Sequence, residues 1–149
     1  MIDVPSAEAQ ELLFPLSPNT CFGCGPDHPS GLRVRFFREP EGVRTEVTVS
    51  VTHQGPPGVV HGGIQAVLLD EACCAAAFFT RDTFVVTGEL SLRYRQPCPI
   101  DQPLAVHAVV VADEERYFVV RGELCVAGTD DVLTIGEGKF YPDRSRSIG

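Results

Sequence analysis

Residues 62–79 read GGIQAVLLDEACCAAAFF, and no other stretch constrains the fold as strongly. At about 100° per residue, Ile64, Val67, Leu68, Ala75 and Phe78 form one wide apolar face. Ala66, Cys73, Cys74 and Ala77 form a second face of small residues. A helix that is apolar nearly all round is buried, not laid on a wet surface. Gln65, Asp70 and Glu71 interrupt the run before it reaches the roughly 18 consecutive apolar residues of a membrane span. No membrane association is expected.

What surrounds this helix is extended chain. Leu32–Phe37 and Val43–Val51 alternate with period two, Val43, Thr45, Val47, Val49 and Val51 sharing one face, and Pro40–Gly42 joins the pair. Four more strand-like runs follow the helix: Phe84–Tyr94, Leu104–Ala112, Tyr117–Val126 and Val132–Tyr141. Gly88 and Gly136 inside them point to a bulge or to close backbone approach. The predicted order is β-β-α-β-β-β-β, an α+β domain with one long central helix wrapped by a curved antiparallel sheet. One helix cannot cover both faces of such a sheet. Its open edges and the small-residue side of the helix therefore predict pairing with a second copy. Residues 1–20 read as an N-terminal arm with a short helical stretch at Ala7–Leu13, and residues 21–149 as a single domain opened by the compact loop CFGCGPDHPSG.

Composition narrows the function classes. The 149-residue chain carries a net charge of −8, so nucleic acid is an unsuitable main partner for want of clustered cations. The first twenty residues have no basic n-region and no unbroken apolar run, and six cysteines in a chain of this kind predict reduced thiols in the cytoplasm. Cys21-x-x-Cys24 with His28 nearby lacks the four ligands of a closed zinc site, and no metal or cofactor is expected.

The chemistry concentrates at the start of the helix. His61-Gly62-Gly63 offers no Ser, Thr, Asp or Asn cap, which predicts backbone N–H groups uncovered by side chains at the positive end of the helix dipole. Such amides suit a developing oxyanion. Asp70 lies seven residues from Gly63 on nearly one line of the wheel, among small residues, where an ionised carboxylate needs a reason. At about 1.5 Å per residue the two are ~10 Å apart, too far to act on one carbonyl within one chain. Two copies with antiparallel helices would bring Gly63 of one opposite Asp70 of the other. Glu71 competes for the same role, and the wheel does not decide between the two acids.

HGGIQAVLLDEA, with its acid nine positions after the histidine, resembles the hotdog-fold acyl-CoA thioesterases, close to the phenylacetate-degradation and THEM-type branch. CFGCGPDHPSGL, HQGPPGVVHGG and TGELSLRYRQPCP occur in the same order, so the resemblance spans about Cys21 to Tyr141. It implies a dimer or dimer of dimers that hydrolyses an acyl-CoA thioester, with Asp70 as general base or nucleophile and the Gly63 amide polarising the carbonyl. Thr87 takes the place of a serine that partners the acid in one branch. Gln54 lies near a position that orients the carbonyl or water, although Gly55 stands where some relatives have Asn. His61 and Gly62 border the substrate's approach, the imidazole hydrogen-bonding the loop. Arg93 and Arg95 are candidate contacts for CoA phosphates, on one strand face near Thr87. The same fold also serves non-catalytic acyl-CoA-binding modules and hydratases.

Overall fold

The computed structural model describes residues 10–146. One helix, α1 (Gly62–Arg81), packs against a single antiparallel sheet of seven strands in the order β1-β2-β3-β5-β6-β7-β4. The strands are β1 (Glu11–Leu12), β2 (Arg35–Arg38), β3 (Val43–Thr48), β4 (Val85–Tyr94), β5 (Pro103–Asp113), β6 (Phe118–Val126) and β7 (Val132–Pro142). This is the predicted order with a two-residue strand added in front. Although α1 is long and apolar enough to cross a membrane by length and composition, it is the core helix here.

The helix sits close to the sheet because the sheet makes room for it. Gly122 on β6 and Gly136 on β7 are register partners. A Cβ on Gly122 would lie 3.1 Å from Leu69 Cδ2, and one on Gly136 would lie 3.3 Å from Leu69 Cβ. The two glycines form a shallow hollow in which Leu69 is seated. The centre of the core is therefore Leu68, Leu69, Ala72, Cys73 and Ala76, all fully buried. This corrects the wheel: Cys73 and Ala77 face the sheet, while Ala66, Val67, Asp70 and Cys74 form a half-buried stripe.

Three further expectations are corrected. Val51 does not continue β3: the chain turns into a short 3-10 helix at Val51–His53, capped by the Ser50 hydroxyl, and Val51 is exposed. The first strand begins at Arg35 rather than Leu32, since Arg33 takes a left-handed backbone (φ 54°). Within the arm, Glu11 and Leu12 are strand rather than helix, because β1 completes the edge beside β2, and Ala7–Ala9 lie outside the described residues. Phe14 follows into a cluster with Phe36, Phe78, Phe79 and Phe84 that closes this end of the core. Thus residues 10–14 pack with the domain. All six cysteines are free thiols.

Candidate active site

The start of α1 is held from three sides. Gln65 is buried, its Nε2 donating to the Val60 carbonyl (2.9 Å) and its Oε1 accepting from the Thr134 hydroxyl (2.6 Å). The Tyr94 hydroxyl donates to the Gly62 carbonyl (2.7 Å). His61 is the N-cap: its Nδ1 accepts from the Gly63 N–H at 2.9 Å, and its carbonyl accepts from the Gln65 N–H. The expectation of an uncapped glycine amide is thereby corrected. Histidine escapes the usual list of capping residues, yet its ring nitrogen two positions before Gly63 acts as the oxygen of a Ser or Asp would. In accepting this bond Nδ1 carries no proton.

Seven residues along, the Thr87 hydroxyl donates to Asp70 Oδ1 at 2.6 Å. Burial raises the Asp70 carboxyl above the ordinary Asp range, and the Thr87 hydrogen bond offsets part of that rise. Cys74 Sγ lies 3.7 Å from Thr87 Oγ1, one turn beyond Asp70. Burial and the Asp70 charge push this thiol far up, so it stays neutral and is no nucleophile at neutral pH.

Thr87 reaches Asp70 because of a bulge. Thr87 pairs with Phe140 and Glu89 with Lys139, leaving Gly88 as the extra residue on β4. A Cβ on Gly88 would run into the Tyr141 ring. The extra residue reverses the alternation, so Thr87 shares the helix-facing side with Leu90, Leu92 and Tyr94. Glu89, Ser91 and Arg93 point to the other side, where Glu89 pairs with Lys139 at 3.4 Å. The placement of Arg93 beside Thr87 is therefore corrected. Arg95 lies just past the end of β4, its N–H donating to the Leu133 carbonyl, and both arginines are exposed.

Glu71 and Asp70 part company. Glu71 turns to the loop after the arm, where its Oε1 accepts from Cys21 Sγ (3.2 Å). Burial raises its carboxyl too, with the Cys21 and Cys24 thiols offsetting part of the rise. Gln54 closes its own loop: its Oε1 accepts from the Gly58 N–H (3.0 Å), and its backbone bridges to Val60. The structure thus brings Asp70 to Thr87, and Gly62 to Tyr94. It leaves Gly63 with His61, Gln54 with Gly58, and the two arginines apart.

Tyr94, Gln65 and Thr134 were not singled out from the sequence. Tyr94 carries a usable signal, being an aromatic with a hydroxyl in the strand-like run that follows the helix. The pairing of Gln65 with Thr134 spans 69 residues and leaves no local mark.

The family model of the thioesterase superfamily matches residues 57–132, half of the chain, from the loop before the helix through β6. The chain belongs to the thioesterase superfamily. Solved structures of this superfamily share the hotdog architecture described above. A thioesterase superfamily protein aligns at 29% identity and TM-score 0.71, over 85% of this chain and 59% of its own. This chain thus spans less than two thirds of that protein's length. A Bacillus halodurans protein crystallised with CoA aligns at 26% identity and TM-score 0.59, over 66% of this chain and 65% of its own. The PaaI protein of the E. coli phenylacetic acid degradation operon aligns at 21% identity and TM-score 0.66, over 74% of this chain and 83% of its own. No curated protein matches the sequence.

Proposed function

We propose that this superfamily member is a cytoplasmic acyl-CoA thioesterase in which Asp70 drives hydrolysis and Gly63 of a second subunit holds the carbonyl oxygen. The observation that carries the reading is the Thr87–Asp70 hydrogen bond on the half-buried stripe of α1. Burial makes Asp70 a stronger base than a solvated carboxylate, and the Thr87 hydroxyl fixes one oxygen so that the other faces the reactant. Glu71 is already engaged by a thiol and does not share the stripe.

β4 supports a two-subunit site. It is the edge of the sheet, ten residues long and exposed along most of its length, with Val86 and Tyr94 about half exposed. An edge of that length is a template for another strand, and a two-fold axis would lay β4 against β4. The stripe of α1 lies beneath the same strand, so the two helices would run side by side and antiparallel. Each Asp70 then approaches the other subunit's helix start.

As base, Asp70 takes a proton from water while the water oxygen adds to the thioester carbon. As nucleophile, its oxygen adds instead and water later cleaves the anhydride. In both cases the Gly63 N–H bonds the oxyanion, a contribution on the order of 3 kcal/mol to the barrier. The His61 ring occupies that N–H in the resting site, so the substrate carbonyl takes its place as acceptor. The tetrahedral intermediate expels the CoA thiolate, which picks up the proton.

Loss of thioester absorbance across an acyl-CoA panel tests the reading. Wild type hydrolyses one acyl class, Asp70→Asn loses at least about a hundredfold in kcat, and Glu71→Gln keeps most of it. Activity retained in Asp70→Asn and lost in Glu71→Gln would overturn the assignment.

A further inference from the structure

Apart from the Asp70 stripe, the helix carries a second cluster whose donor set suits a cation. Cys21 and Cys24 from the loop after the arm, and Glu71 from the middle of α1, bring two sulfurs and a carboxylate oxygen within 4.8 Å of one another. The loop that presents them is set by its own backbone. Asn19 Oδ1 accepts from the Cys21 N–H (3.1 Å), the Gly25 N–H donates to the Cys21 carbonyl (2.8 Å), and the Asn19 N–H donates to Asp27 Oδ2 (2.8 Å). Gly23 lies against the Glu71 side chain, and a Cβ there would overlap Glu71 Cγ and its carboxyl group. The carboxylate is thereby pinned between the two cysteines. Buried Asn19 also points its Nδ2 at Cys24 Sγ (3.9 Å), the kind of outer donor that supports a metal-bound thiolate.

Without a cation this arrangement is poor chemistry. The Cys21 thiol that faces this carboxylate is only a weak donor, at 3.2 Å. A divalent ion would replace that weak contact with direct bonds to all three side chains, whose donor atoms already lie within 4.8 Å of one another. We propose that Cys21, Cys24 and Glu71 form a binding site for a zinc-type divalent cation, with water as the fourth ligand. Two sulfurs select a thiophilic ion over Mg2+ or Ca2+, and the carboxylate favours Zn2+ over Cu+. On binding, each thiol gives its proton to solvent. Two thiolates and a carboxylate then face a 2+ charge, leaving a net charge of −1 at the site. Sequence spacing alone misses this site because Glu71 lies 50 residues from Cys21. The ion would clasp the loop to the centre of α1, next to the proposed thioester chemistry but sharing no residue with it.

The test uses the reduced, metal-stripped full chain titrated with Co2+ as a spectroscopic probe and with Zn2+ in competition. One equivalent should bind and give the intense visible bands of tetrahedral cobalt with a thiolate charge-transfer band. Cys21→Ser or Cys24→Ser should weaken binding at least about a hundredfold, and Glu71→Gln should weaken it about tenfold and shift the visible bands. X-ray absorption on the wild-type zinc form, which needs no variant to fold, should give two sulfurs at about 2.3 Å and two lighter ligands at about 2.0 Å. The proposal is overturned if reduced wild type binds no stoichiometric metal, or if Glu71→Gln binds with unchanged affinity and spectrum. A shell made only of oxygen and nitrogen would overturn it equally.

Discussion

Thr87 and Asp70 lie on different elements, 17 residues apart, and their 2.6 Å hydrogen bond exists because one extra residue, Gly88, turns Thr87 inward. If the hydroxyl orients the carboxylate, Thr87→Val should lower kcat roughly tenfold to a hundredfold with little change in KM, and Thr87→Ser should restore most of it. Equal activity in Thr87→Val and wild type would show that the contact is only structural.

The raised Asp70 carboxyl has consequences of opposite sign for rate and stability. Its folded-state pKa lies above the ordinary 3.8, so its contribution to stability is fully present below that value and is lost as pH rises through the folded pKa. Asp70→Asn removes the buried charge while its side-chain carbonyl can still accept from Thr87. The Tm of Asp70→Asn minus that of wild type should therefore grow from pH 4 towards neutrality and then level off. Activity of wild type should fall on the acid side with an apparent pKa above 3.8. A variant less stable than wild type at neutral pH would contradict the burial argument.

Much of this was legible in the chain. The buried helix, six of the seven strands and the roles of Gly88 and Gly136 follow from period and from misplaced glycines. What failed, failed for physical reasons. Alternation assigns Arg93 to the face of Thr87 only if no residue is inserted between them. Gly88 signals either a bulge or a close approach, and only the pairing of β4 with β7 shows the bulge that moves Arg93 to the other face. Val51 keeps the β3 alternation, but the Ser50 hydroxyl captures the Thr52 amide and turns the chain first. The His61 cap was hidden because a ring nitrogen does the work of an oxygen. The wheel does not decide which of Asp70 and Glu71 serves the site; the Thr87 hydroxyl on the one and the Cys21 thiol on the other tell them apart.

The hollow under Leu69 gives a test that does not involve activity. Gly122 has Leu69, Val106 and Cys73 within 3.1–3.5 Å of a would-be Cβ, so Gly122→Val has no direction in which to grow. It should destabilise the domain by about 1–3 kcal/mol, the usual cost of overpacking, seen as a lower denaturation midpoint. An unchanged midpoint would mean that the helix is free to ride away from the sheet.

The central claim is a site assembled from two chains, and complementation tests it most directly. Asp70→Asn removes the acid, and Gly63→Pro removes the amide donor within the first turn of the helix, where no i−4 bond is lost, together with the His61 cap bond. Each variant alone should be inactive. Co-expressed, half of the randomly paired dimers are mixed, and each mixed dimer holds one intact site out of two, so about a quarter of wild-type activity should return. No recovery in mixed dimers of folded subunits would contradict a site shared between Asp70 of one chain and Gly63 of the other.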